Sequence, residues 1–116
     1  MAGNITASDM YEAISDGKRI ALPLNMSNET LAGNLVIDKT YGNIVRLDPA
    51  GARNVTLPAL YDGAFYLLIN AADNDESIAV KKPDGTALGD VGQNQTALIC
   101  CFGGQWAIFA KFTTAL

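Results

Sequence analysis

The feature that most constrains this chain is the rhythm of residues 54–112, where short β-type runs alternate with clusters of Gly, Asp, Asn and Pro. The stretch opens with Asn54-Val55-Thr56-Leu57-Pro58-Ala59 and passes Gly63 and the apolar run Ala64 to Asn70. It continues through Ser77-Ile78-Ala79-Val80-Lys81 and closes with Gln95 to Phe102 and Gln105 to Phe112. Runs of this length between turn formers predict antiparallel strands joined by tight turns. Many short strands at short spacing place the chain in the all-β class, as an antiparallel β-sandwich or jelly-roll-like barrel.

Two hairpins stand out. Lys82-Pro83-Asp84-Gly85 and Gly103-Gly104 each sit between β-type runs and carry residues suited to tight reversal. The run Ala64 to Asn70 is apolar on both faces, with Phe65, Leu67 and Ile69 on one side and Tyr66 and Leu68 on the other. Such a strand is either central in a two-layer fold or lies beneath a subunit interface. In the last strand, alternation puts Trp106, Ile108 and Ala110 on one face and Ala107, Phe109 and Lys111 on the other.

Earlier in the chain the signals are weaker. Residues 1–7 read as an arm. Ser8 or Asp9 can cap a short helix through Ser15, with Glu12 three residues after Asp9, and Gly17 can end it. Met10, Ile14 and Tyr11 give that helix a narrow apolar stripe, too short to be stable unless it docks on something. Residues 1–17 are thus expected to be an arm with a short helix, and 18–116 a β domain. Lys18 to Pro23 can form a first strand, Asn25 to Glu29 a polar loop, and Leu31 to Ile37 and Asn43 to Leu47 further strands. Asp38 to Asn43 and Asp48-Pro49-Ala50-Gly51 read as turns. No repeat of solenoid period is visible.

A length of 116 residues suggests one domain with a real core, and 49% hydrophobic residues argue against global disorder. A net charge of −4 and no long basic run argue against nucleic acid, and no apolar stretch is long enough to span a membrane as a helix. Met1-Ala2-Gly3-Asn4 does not resemble a secretory signal, so maturation in a cytoplasm is expected.

Sites of chemistry are sparse. His is absent, which removes the Ser-His-Asp triad and the His-rich metal sites. Cys100 and Cys101 are adjacent on a strand, so alternation sends them to opposite faces as small apolar residues. Asp73, Asp75 and Glu76 could hold Ca²⁺, but read more simply as a solvated acidic turn. Asp84 and Asp90 read as turn formers. Tyr61, Tyr66 and Trp106 could stack on a sugar, with core packing the plainer assignment. Five N-x-[ST] triplets occur, and without a signal peptide they read as Asn and Thr enrichment in turns. No catalytic, metal or cofactor site is expected. A carboxylate-based glycosidase is disfavoured because no acid pair can be placed by spacing.

The 54–112 stretch resembles virion proteins of tailed bacteriophages, especially capsid decoration (cement) proteins and fibre-associated β-modules. The residues that carry the likeness are Asn54 to Ala59, Gly63 with the strand ending Asn70-Ala71, Val80, Pro83-Asp84-Gly85, and Ala97 to Phe102 with Gly103-Gly104-Gln105-Trp106. It covers about half the chain. The resemblance implies a small domain on the capsid exterior that stabilises contacts between major capsid subunits. A homo-oligomer is expected, with a trimer favoured over a dimer. Asn4, Ile5, Met10, Tyr11 and Ile14 in the arm and helix are then the expected partner contacts. The alternative is a fibre or attachment module that binds a host glycan or receptor.

Overall fold

A computed structural model describes residues 25–38, 40–59 and 62–114. The proposed arm and helix, and the strand expected at Lys18 to Pro23, lie outside the described residues. Among the described residues the fold is all-β. Nine strands run in order: β1 Met26–Leu31, β2 Leu35–Val36, β3 Ile44–Pro49, β4 Arg53–Thr56, β5 Phe65–Asn70, β6 Ile78–Lys81, β7 Ala87–Val91, β8 Gln95–Phe102 and β9 Gln105–Thr113. They form two sheets, a five-stranded sheet A ordered β1-β3-β5-β8-β9 and a four-stranded sheet B ordered β2-β4-β6-β7.

The expected antiparallel pairing holds only in the second half of the chain. β5 pairs antiparallel with β8, β8 with β9, and β6 with β7. Before β6 the chain alternates between sheets, laying one strand in A and the next in B. Strands of one sheet therefore run the same way, and β1, β3 and β5 are parallel, as are β2, β4 and β6. Turn residues mark where the backbone bends. They do not record whether the chain returns to the same sheet or crosses to the other.

Three boundaries moved. Asn25 to Glu29, expected as a polar loop, lies largely in β1, an edge strand with mostly exposed side chains. The single strand expected over Leu31 to Ile37 is divided by a bend after Leu31. Pro49 ends β3 as a buried residue instead of opening a turn, and as its last residue it interrupts the ladder little.

Both expected hairpins form. Gly103 and Gly104 hold φ of 58° and 75°, the left-handed pair that a two-residue turn needs between Phe102 and Gln105. In the other hairpin Gly85 takes φ 89°, and the Asp84 carboxylate accepts from the Thr86 backbone N–H at 3.0 Å and its hydroxyl at 2.7 Å.

One apolar core draws on both sheets. Val45 and Leu47 of β3, Tyr66 and Leu68 of β5, and Ala97 and Ile99 of β8 meet Val55, Ile78, Val80 and Val91 of sheet B. Burying each of these large side chains contributes roughly 1.5–3 kcal/mol.

Candidate functional site

Because the inward residues of sheet A are buried, their strand neighbours point to its outer face. Register aligns those neighbours across the sheet. Met26 stands beside Ile44, Ile44 beside Leu67, Leu67 beside Leu98, and Leu98 beside Ala110. A second row runs Phe65, Cys100, Ala107. These two rows make an apolar strip on the side of the sheet away from the core, and the row beside it, Asn28, Arg46, Ile69, Thr96 and Phe112, mixes polar and apolar side chains. Phe102, Phe109 and Phe112 stand out from it as exposed aromatics, and Phe102 and Phe109 meet edge to face at 5.4 Å. The expectation that β5 is apolar on both faces holds.

A bulge shapes one edge. The β8–β9 register shifts between Leu98 and Ile99, so that Leu98 faces Ala110 while Ile99 faces Ile108. Phe109 is the extra residue. The simple alternation expected for β9 therefore fails past Ile108. Trp106 and Ile108 stay with the core. Ala110 turns to the outer face beside Leu98, and Lys111 swings to the other side, where its Nζ donates to the Asp90 carbonyl of β7 at 3.1 Å.

Sheet B presents the opposite character. Its outward residues include Asn54 beside Ala79, Thr56 beside Lys81, and Asp90 beside Ala79. That is the polar outer face of an ordinary half-solvated sheet. Val36 is its exposed apolar exception.

The aromatic side chains considered for sugar stacking divide clearly. Tyr66 and Trp106 are buried, their rings 5.8 Å apart, and the Trp106 indole N–H donates to the Pro58 carbonyl at 3.1 Å. Neither can serve as an exposed platform. Tyr61 lies outside the described residues, as do Asn4, Ile5, Met10, Tyr11 and Ile14.

Cys100 and Cys101 face opposite ways as expected. Cys101 sits in the core, while Cys100 is half-buried on the outer face of sheet A, where burial pushes its thiol pKa up. Among the described residues no group of three or more carboxylate or thiol ligands is placed to hold a metal ion. Asp73 and Asp75 are exposed and Glu76 is half-buried.

Two polar features escaped sequence reasoning. At the β1 edge a shallow recess is lined by Ser27, Asn28, Glu29, Thr40 and Tyr41. There the Tyr41 hydroxyl donates to a Glu29 carboxylate oxygen at 2.5 Å. Burial first, then this hydrogen bond and the nearby Glu29 and Asp38 charges, push the phenol up to about 12. The other is Asn70, at the inward end of β5 and 1% exposed. Its Nδ2 donates to the carbonyls of Glu76 at 2.8 Å and Val91 at 2.9 Å, and its Oδ1 accepts from the Ala72 N–H at 2.9 Å. The signal for Asn70 was its parity with Tyr66 and Leu68, which places it on the core side.

Comparison with family models, with curated proteins and with solved structures finds no match.

Proposed function

We propose that this chain is a structural virion protein that binds the outer capsid surface and stabilises contacts between major capsid subunits. The observation that carries this reading is the outer face of sheet A. A sheet with one face committed to its own core and a second apolar face is suited to assembly. The likeness of residues 54–112 to decoration proteins supplies the kind of assembly. The domain is read as a two-layer sandwich, because a single core draws on both sheets.

In this reading the β domain is a rigid platform, and residues 1–17 are a grip that reaches a neighbouring capsid subunit through Asn4, Ile5, Met10, Tyr11 and Ile14. A segment that orders on binding loses entropy but can span distant partners, and repeated copies on a symmetric lattice gain from avidity. The alternative of a glycan-binding fibre module is weakened by the burial of Tyr66 and Trp106.

Virions lacking the protein are expected to lose their genome at lower temperature than complete ones. Deleting residues 1–17 is expected to abolish cosedimentation with capsids while the β domain keeps its circular dichroism spectrum. Equal heat resistance with and without the protein would refute the cement role, and unchanged occupancy of the deletion variant would refute the grip.

A further inference from the structure

We propose that Glu29 guards the β1 edge of sheet A: its charge, held on the core face, keeps a strand of a second copy of this chain from adding there. The inference does not rest on capsid binding.

The first argument is the condition of the edges. Among the described residues the two sheets end in β1 and β9 for sheet A and in β2 and β7 for sheet B. An edge strand offers backbone N–H and C=O groups to any chain that can pair with them, and short length, bulges and inward-pointing charges are the usual protections. β2 is two residues long. β9 carries the bulge at Phe109, and the β6–β7 register shifts between Val80 and Lys81, which leaves Leu88 as an extra residue in β7. β1 has neither protection. It runs for six residues in unbroken register with β3. The Asn25 and Leu31 carbonyls accept from the Ile44 and Ala50 N–H groups. The ladder thus uses the odd-numbered residues of β1 and turns the backbone groups of Met26, Asn28 and Thr30 toward the open side.

The second argument is where Glu29 points. Residues paired across a ladder share a face, and Glu29 stands opposite Leu47, which is fully buried in the core. Leu31, of the same parity, is buried opposite Pro49. Alternation therefore calls for an apolar residue at position 29, and a carboxylate stands there. It stays exposed because β1 ends the sheet. The Tyr41 hydroxyl donates to it and fixes it on this face.

The third argument is what a second copy would bring. A strand added beside β1 covers the side from which water reaches Glu29. Taking a carboxylate out of water is costly unless a cation meets it. The β1 strand of a second copy, Met26 to Leu31, carries no cation and brings its own Glu29. In a two-fold antiparallel pairing centred on Asn28, the two Glu29 side chains lie diagonally on one face, about 7–8 Å apart, where like charges repel.

The test is sedimentation velocity on the full chain over a dilution series, comparing wild type with Glu29→Val, Glu29→Lys and Asp73→Val. Glu29→Val makes the core face of β1 apolar and is expected to associate at least about tenfold more tightly than wild type. Glu29→Lys loses the bond to Tyr41 but keeps a charge at the edge, and is expected to match wild type. Asp73→Val makes the same change in net charge at an exposed turn, and is expected to match it too. Amide hydrogen exchange locates the contact. Met26, Asn28 and Thr30 are expected to exchange fast in dilute wild type and slowly in associated Glu29→Val. If circular dichroism shows Glu29→Val unfolded, Glu29→Thr takes its place. A folded apolar variant with the mass of wild type overturns the proposal. So does equally strong association of Glu29→Lys, which would assign the effect to the Tyr41 bond, or of Asp73→Val, which would assign it to net charge. Slow exchange at Met26, Asn28 and Thr30 in a monomeric wild-type chain would show the edge already paired, and that also overturns it.

Discussion

Replacing Asn70 with Ala is expected to cost about 1–3 kcal/mol of stability, although the side chain is buried and reaches no exposed surface. The side chain closes three hydrogen bonds between the end of β5, the loop after it, and the end of β7. It thereby ties sheet A to sheet B where the chain leaves one for the other. In Asn70→Ala the buried Ala72 N–H loses its partner, while the Val91 carbonyl keeps its place opposite Ile78 in the β6–β7 ladder. An orphaned buried backbone group costs about 1–3 kcal/mol, and the Ala72 N–H is that group here. The Glu76 carbonyl is only partly buried, so water can replace the lost donor at small net cost. A central value of about 2 kcal/mol is a sizeable part of the roughly 5–15 kcal/mol that stabilises a domain.

Asn70→Asp separates this account from a mere cavity effect. The substitution keeps an acceptor for Ala72 but turns two donors into an oxygen facing two carbonyls. The buried carboxyl then prefers its neutral form, so its folded pKa lies above the unfolded value. The sign follows: stability of this variant is greatest below the unfolded carboxyl pKa and falls as pH rises toward the folded pKa. Urea unfolding at several pH values reads both variants. Asn70→Ala should lose about 2 kcal/mol with little change in the gap to wild type between pH 4 and 7, while the gap for Asn70→Asp widens with pH. A loss under about 1 kcal/mol for Asn70→Ala, or a pH-flat gap for Asn70→Asp, would show that the three bonds do not bear the weight assigned to them.

Two further outcomes follow from local geometry. Tyr41, with its phenol pushed up to about 12, should titrate above an ordinary tyrosine in an ultraviolet pH titration, and Glu29→Gln should lower that pKa. Because the folded value is raised, the stabilisation is present below pH 10 and lost as pH climbs through about 12. A Tyr41 that ionises with the ordinary phenols would contradict this. At the β8–β9 turn, Gly104→Ala should cost about 1–2 kcal/mol in chemical denaturation, because φ of 75° disfavours a Cβ. Gly104→Asn should cost less, and equal losses would remove the conformational explanation.

The parts of the fold that were legible in sequence are those written in adjacent residues. Gly103-Gly104 and Pro83-Asp84-Gly85 state their own turn geometry, and Cys100-Cys101 divide between two faces because strand alternation is local. Parallel winding is not local. It depends on which sheet receives the chain after each bend, and the same Asp, Pro and Gly residues serve either outcome. The sequence steps between paired residues also differ from coil to coil, since Met26 meets Ile44 while Ile44 meets Leu67. No fixed period exists for a repeat search to find. β1 was hidden because an edge strand with exposed side chains has no hydrophobic alternation to display. The Phe109 bulge was hidden because a single inserted residue leaves no composition signal, yet it reverses the facing of Ala110 and Lys111.

The two sheets share one core but differ in their outer faces. Both contribute inward residues to the same cluster, and both pair through the same winding. If a robust core alone had shaped the chain, each sheet would be expected to alternate apolar-in and polar-out. Sheet B does so, with Asn54, Thr56, Lys81 and Asp90 outward. Sheet A does not, and its departure spans β5, β8 and β9, strands far apart in sequence that meet only after folding. An apolar residue on a solvent face adds little to the stability of a lone domain and raises its tendency to aggregate. An apolar strip of this kind is what the proposed assembly role requires of the face. The bulge at Phe109 fits this account: it adds an aromatic at the edge of that surface while leaving Trp106 and Ile108 in the core.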